Sequence, residues 1–476
     1  MNLFELFYVI SFMQTALGKV IITPPKFLGG YKGHPMAGYT PMPTCKGKYD
    51  DIYAHAVLFK EKALDNVNKY FLIISMDVLQ LPMLYTEYIK EKIEEKYQIH
   101  PNQILIHATH THKSFCMTGM FAFGGNYPGI IKGIFRGSYH KWTDKYRVWI
   151  AKQIVKLIGH LTKKLRPSKI GWCSQILHKP IARNRVFGTR MDQPMNIISI
   201  KDKNTNEIYG IICNYGAHPT TMGGRSYFMS AEFPGRFVES IKKRSNNKID
   251  GIWFTGPAGN VGPYFGGLYR LAKQQKFIRK PDGTRVKRRK YIITEKMGDV
   301  LAEDALKFAK DIPNNNYYNE IHFKGYMHKF WVPMKNYDKH WKTAIIRFNN
   351  AIVHWVKKSL LIPIALALAD SNEPNFPGFA LKHKKREINI YSEVQYIKIS
   401  GKNDHKTDEI ALVGVPGELF TDIADKIYKN SLTKPDHTFI FQASNDWIAY
   451  LFPLKHYVSR GGYEPLASFG PLCGAY

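Results

Sequence analysis

Tyr70 to Met76 (YFLIISM) is a short, almost wholly apolar run. It is too short for a helix core and suits a strand buried on both faces. Residues 84–97 then change period and read as a charged amphipathic helix, and Ile104 to His112 (ILIHATHTH) reads as a strand again. The same switching recurs along the chain. A long helix is expected from Thr143, with Thr143 as candidate N-cap, an apolar stripe at Ile150, Ile154, Leu157, Leu161 and Leu165, and Pro167 as its stop. Met195 to Ile200 and Ile208 to Tyr215 read as strands joined by a polar turn, Lys201 to Glu207. Pro234 opens a helix, Asp250 to Thr255 is a short strand, and Thr294 caps a helix ending before Pro313. Ile388, Ile390, Val394 and Tyr396 share one strand face. Glu409 to Val415 is a strand, a helix follows from about Gly417 to Asn430, and His437 to Gln442 is the last strand. Hairpin-linked neighbours argue against an all-parallel sheet. The pattern predicts an α/β fold: mixed β-sheets flanked by helices in a single large domain.

Composition agrees: of 476 residues, 44% are hydrophobic and 22% charged, which excludes a disordered tail, a collagen-like rod and a coiled coil. Length alone suits about three domains, but no solenoid-period repeat is visible. Sixty-eight Lys+Arg against 38 Asp+Glu give a net charge of +30, a surface attracted to polyanions of any kind. From Arg270 to Lys290 there are ten Lys/Arg and one acid, Asp282. Residues 265–290 therefore read as an exposed basic loop or insertion, either simply solvated or a contact for an anionic surface. Nucleic-acid binding would rest on charge alone, with no recognisable module, and none is expected.

The five cysteines are widely spaced without a CxxC, which argues against a disulfide framework and a thiolate zinc site. The longest apolar run, Leu360 to Ala369, is ten residues interrupted by Pro363, half the roughly 20 a spanning helix needs. Residues 1–16 read as an N-terminal extension or weak signal-like segment. Leu6 to Met13 is largely apolar and Ala16-Leu17-Gly18 offers small residues, but Met1 to Glu5 has no Lys or Arg. The expected location is cytoplasmic or membrane-peripheral, with secretion as the alternative.

Three segments carry candidate chemistry. In His107-Ala108-Thr109-His110-Thr111-His112, strand alternation would put His110 and His112 on one face and His107 on the other. Such a pair could hold a metal, or one could bind while the other moves protons; hydrogen-bonded surface histidines are the alternative. In Asn214-Tyr215-Gly216-Ala217-His218-Pro219, a histidine ends a buried strand, as a site residue at a sheet rim or as a cap. In Val415-Pro416-Gly417-Glu418-Leu419, a carboxylate opens the expected helix, where the dipole favours it or where it offers a metal ligand.

In order along the chain, these segments resemble the catalytic domain of the neutral/alkaline non-lysosomal ceramidase family. The likeness starts at Lys19 to Pro25 and runs through Met36-Ala37-Gly38-Tyr39, Ile52 to Ala56 and Ser75-Met76-Asp77. Thr109 to His112, Ala182-Arg183-Asn184-Arg185 and His218-Pro219-Thr220 follow. Ser230 to Gly235, Gly259 to Pro263, Pro416-Gly417-Glu418 and Ser444 to Tyr450 complete it. It covers most of 17–470, so residues 17–476 are expected to form a ceramidase-like catalytic domain.

The resemblance implies zinc held by His110, His218, Glu418 and Tyr450, with Tyr457 as the rival to Tyr450. It places His112 and Arg185 among residues that contact substrate and stabilise the transition state, with Tyr463 as a later active-site tyrosine. It implies a zinc-dependent hydrolase of N-acyl amide bonds, ceramide giving sphingoid base and fatty acid. The partner would be a lipid-like N-acyl amide, with an anionic membrane surface as a further contact; oligomeric state is open. Departures are equally specific. The family's Asp-Val-Ser-Pro is Asn260-Val261-Gly262-Pro263 here, so no serine hydroxyl stands at 262. Lys113-Ser114-Phe115 replaces a small run after His112, and no Thr-Thr follows Tyr450. The loss of the family's Asp and Ser at Asn260 and Gly262 motivates the alternative of a decayed hydrolase that binds anionic membrane or cell-surface polymer.

Overall fold

The computed structural model describes residues 13–39, 43–61, 69–115, 117, 138–186, 193–264, 278–279, 285–286, 288–333, 380–384, 387–459, 464 and 468. The expected mixed α/β fold is present, in one domain built from three consecutive units of one topology. Unit one is β1 (Gln14–Ile21), β2 (Tyr53–Glu61), β3 (Lys69–Met76), α1 (Met83–Tyr97) and β4 (Ile104–Ala108). A long helix, α2 (Ser138–Thr162), leads to unit two: β5 (Arg166–Ile176), β6 (Pro194–Asp202), β7 (Ile208–Tyr215), α3 (Glu232–Arg244) and β8 (Asp250–Thr255). Helix α4 (Arg288–Asp311) leads to unit three: β9 (Glu320–Pro333), β10 (Glu387–Lys402), β11 (Thr407–Gly414), α5 (Thr421–Asn430) and β12 (Thr438–Phe441).

In every unit the first three strands are antiparallel and the fourth returns through a helix to pair parallel with the third. The units begin 166 − 14 = 152 and 320 − 166 = 154 residues apart. Units one and two join edge to edge through Gln14↔Pro167 and Thr15↔Arg166; their eight strands and the short Tyr317–Tyr318 strand on β5 make a nine-stranded sheet, and unit three with Ala380–Lys384 on β10 makes a separate five-stranded sheet. One face of each unit meets a shared core: Phe59, Phe71 and Leu105 from the first, Trp172, Ile198 and Phe254 from the second, Ile399, Leu412 and Phe441 from the third. The other faces are covered by α1 with α2, by α3 with α4, and by α5. Among the described residues no helix is long and apolar enough to cross a membrane; Leu360 to Ala369 lies outside them.

The β6–β7 hairpin follows from its turn chemistry: Asp202 Oδ1 accepts from the Asn204 and Thr205 amides, and Asn206 takes φ +62°. The stripe Ile150, Ile154, Leu157 and Leu161 is buried on α2 as its spacing predicts.

Several boundaries differ from expectation. Helix α2 starts at Ser138, so Thr143 lies inside it and is buried. The indole of Trp142 donates to the Leu28 carbonyl, so tertiary contact carries the helix past the local cap signal. Pro167 does not stop α2, which ends at Thr162; it lies in β5. Thr294 is likewise interior, its hydroxyl bonded to Thr221 Oγ1 at 2.7 Å within α4. Residues 1–12 lie outside the described set, while Gln14 to Ala16 pair in β1 with Lys60 to Leu58. Within 265–290 the described residues are a two-strand hairpin, Ile278–Arg279 with Arg285–Val286, and the first residues of α4.

Candidate metal centre

Each unit delivers one group to a single point from the carboxyl end of its parallel strand pair. His110 lies two residues past β4, His218 three past β7 and Glu418 four past β11. This is the edge at which open α/β sheets place their sites.

The strand argument for the histidine block fails in an instructive way. Strand β4 stops at Ala108. The Thr109 and His110 amides then turn to the carbonyls of Met76 and Val78, and His110 takes a left-handed φ of +66°. The two imidazoles converge because of this turn rather than by alternation. His107, still in the strand, is tied into the core: its Nε2 accepts from the Thr255 amide at 3.0 Å.

The three site histidines are oriented alike. Nδ1 of His110 lies 2.7 Å from the Leu79 carbonyl, Nδ1 of His112 2.9 Å from Gly38 O, and Nδ1 of His218 3.1 Å from Ala258 O. A carbonyl only accepts, so Nδ1 carries the proton in each ring and the Nε2 lone pairs face inward. Gly38 can approach so closely because it is glycine: its φ is +99°, and an added Cβ would fall on the His112 ring.

Glu418 is not at the start of a helix, as its sequence context suggested. Glu418–Leu419 pairs in parallel with Tyr450–Leu451, and α5 begins only at Thr421. The dipole account of this acid is therefore replaced by a strand-bridge account. Its Oε2 lies 3.3 Å from His110 Nε2 and 3.7 Å from His218 Nε2. Nε2 of His112 and Nε2 of His218 are 2.8 Å apart. All three imidazoles can offer ligand atoms within 4.8 Å of one another.

The arrangement leaves acceptors facing acceptors. Among the described residues His110 Nε2 and Glu418 Oε2 are enclosed with no hydrogen-bond partner, and enclosed polar atoms without partners are costly. Burial, reinforced by Arg185 at His218 and by His110 at His112, pushes both of these imidazoles well below their ordinary pKa, so His112 and His218 each keep a bare Nε2. Burial pushes the Glu418 carboxyl up, but neighbouring His110, the Tyr450 hydroxyl and Arg185 outweigh it and hold it below the ordinary value. Inward imidazole lone pairs around an ionised carboxylate fit a divalent cation, and this donor set suits zinc.

Tyr450 is buried beside Glu418 and contacts its carboxylate. The guanidinium of Arg185 donates to Gly259 O at 2.7 Å, and its amide bonds Asn260 O. The departures around it have physical reasons. A Cβ on Gly262 would lie 2.8 Å from Arg185 Cδ, so the arginine stem fills the place of a residue-262 side chain. Asn260 accepts from the Thr421 amide and donates to Thr421 Oγ1, both at 3.0 Å, which ties it to the start of α5. Tyr463 and the side chain of Tyr457 lie outside the described residues.

Two supports were invisible as site features in the sequence. Trp447 donates to Glu418 Oε1 at 3.2 Å. Glu232 accepts from the amide and hydroxyl of Thr221, propping the His218 loop.

No family model matches the sequence, and no curated protein matches it. Solved structures do. The neutral ceramidase from Pseudomonas aeruginosa superposes with a TM-score of 0.65 at 15% identity, over 97% of this chain and 72% of that one. A structure described as ceramidase complexed with C2 gives 0.66 at 15% identity, over 97% and 73%. At this identity the likeness establishes the fold: the chain has the architecture of the neutral ceramidases.

Proposed function

We propose that the chain is a zinc-dependent hydrolase of N-acyl amide bonds with a ceramide-like lipid amide as substrate. The observation that carries this reading is the convergence of three bare Nε2 atoms on an unpartnered carboxylate oxygen, in a fold shared with neutral ceramidases. His110, His218 and Glu418 would hold the ion, with Tyr450 beside the carboxylate. Zinc supplies Lewis acidity that activates water and polarises a carbonyl.

The chain's own residues do the rest. His112 Nε2 takes the proton of the attacking water and returns it to the leaving amine, so that amide and water become carboxylic acid and amine. Arg185 faces developing negative charge on the carbonyl oxygen, or a substrate hydroxyl. Gly262 offers no hydroxyl, so the nucleophile is water and not a side chain at that position. The net charge of +30 favours approach to an anionic lipid surface, where such a substrate resides.

The test is release of fatty acid from a panel of N-acyl amides by the purified, zinc-loaded chain. Zinc-dependent release that disappears in His110→Ala supports the reading. A folded, zinc-loaded protein that releases nothing from any member overturns it and favours the binding-protein alternative.

A further inference from the structure

Away from the metal centre, a cleft of about 480 Å³ opens where β1 and β2 face α3 and the start of β8. Leu17, Val238 and Ile252 give it apolar wall. Both acids at its rim are already paired, Asp250 with Lys242 at 2.7 Å and Glu239 with Arg236. The remaining charged groups are cations. Lys19 lies 4.2 Å above the Tyr53 ring, and neither Lys19 nor Lys243 has an acidic partner among the described residues. Asn246 and Asn247 spend their backbone amides on closing α3, which leaves their side-chain amides at the cleft.

His55 lines the same cleft between Lys19 and Ser75 in strand register. It is 5% exposed, and neither ring nitrogen has a hydrogen-bond partner among the described residues. Burial, and then the charge of Lys19, lower its pKa to about 3, so the ring is neutral and holds one unspent N–H. The ring nitrogens are not enclosed, so they reach the open cleft and offer the N–H to whatever occupies it.

We propose that this cleft binds a phosphate-bearing ligand, with Lys19 and Lys243 matching its two charges and the His55 N–H meeting one oxygen. Two unpaired ammonium groups suit a dianion better than a carboxylate, and the apolar wall accepts the organic part of a monoester. The phosphate could belong to a soluble ester or to a lipid headgroup.

Calorimetric titration of the full chain with glycerol phosphate, and flotation with phosphatidylcholine vesicles with and without phosphatidic acid, separate these sources. Saturable one-to-one binding of glycerol phosphate assigns a soluble ester; retention only on phosphatidic acid vesicles assigns the headgroup. In either arm, Lys19→Ala/Lys243→Ala should weaken binding at least about tenfold. Lys426→Glu, elsewhere on the surface, should not. Shifts of the His55 ring resonances on addition of the probe give a second readout in the unaltered protein, should Lys19→Ala/Lys243→Ala fail to fold. Binding that is not saturable, or that both variants weaken alike, would show only general attraction to a basic chain and overturn the proposal.

Discussion

The indole Nε1 of Trp447 lies 3.2 Å from Glu418 Oε1, and this bond decides which carboxylate oxygen faces the histidines. With Oε1 engaged, Oε2 is left enclosed and unpartnered beside His110 and His218. Trp447 thus orients a candidate ligand from behind. Trp447→Phe keeps an aromatic ring in the core but removes the donor. Zinc affinity should fall about 10–100-fold, read by competition with a chelator, while the circular dichroism spectrum stays unchanged. Unaltered affinity would mean that the Glu418–Leu419 bridge to Tyr450–Leu451 alone fixes the carboxylate.

His110 and His112 should separate in their consequences. His110→Ala is expected to abolish both bound zinc and amide hydrolysis. His112→Ala should retain most of the zinc and lose rate by roughly 10²–10⁴-fold, the range for a proton-transfer group. The 2.8 Å contact between His112 and His218 makes the measurement decisive. Equal loss of zinc in both variants would make His112 a ligand and leave the proton-transfer role to another group.

Much of this architecture was legible from period alone: the β6–β7 hairpin, β3, β8 and the buried stripe of α2 all stand where the residues put them. The starts of α2 and α4 were not, because Trp142 and Thr294 are held by Leu28 and Thr221, over a hundred and over seventy residues away in sequence. The convergence of His110 and His112 was expected for the wrong reason. A period-two pattern cannot register a left-handed turn at His110, which depends on the carbonyls of Met76 and Val78. Glu418 was identified as a candidate, but its strand bridge to Tyr450 joins two-residue segments too short to leave a periodic signal. The three units share topology, and each four-strand pattern is closed by pairings that no local window spans.

Gly262→Ser tests whether the missing hydroxyl is a loss or an accommodation. A Cβ at 262 would stand 2.8 Å from Arg185 Cδ, so the arginine must shift and its bond to Gly259 O must stretch. Restoring the hydroxyl should therefore lower amide hydrolysis, by up to about 10²–10³-fold if Arg185 stabilises the oxyanion. Zinc content should be unchanged, since His110, His218 and Glu418 are not displaced. A gain in rate would instead show that position 262 once carried a nucleophile whose replacement disabled the site.

Asp446 gives a stability test with a defined sign. It is buried beside the metal-centre loop, accepting from Ser392 Oγ at 2.6 Å and from the Met83 amide at 2.9 Å. Burial raises its pKa from 3.8 to about 7, more than these donors lower it. Between these values the folded chain holds a proton that the unfolded chain has released. Stability therefore falls as pH rises through that window, by up to about 1.4 kcal/mol per pH unit, and the penalty is constant above it. Below the window both states are protonated and the effect vanishes. Asp446→Asn stays neutral throughout. The difference in unfolding free energy, wild type minus variant, should decline from about pH 4 to about pH 7 in urea titrations and be flat on either side. A difference that rises over that range would mean that Ser392 and Met83 hold Asp446 as a carboxylate in the folded chain.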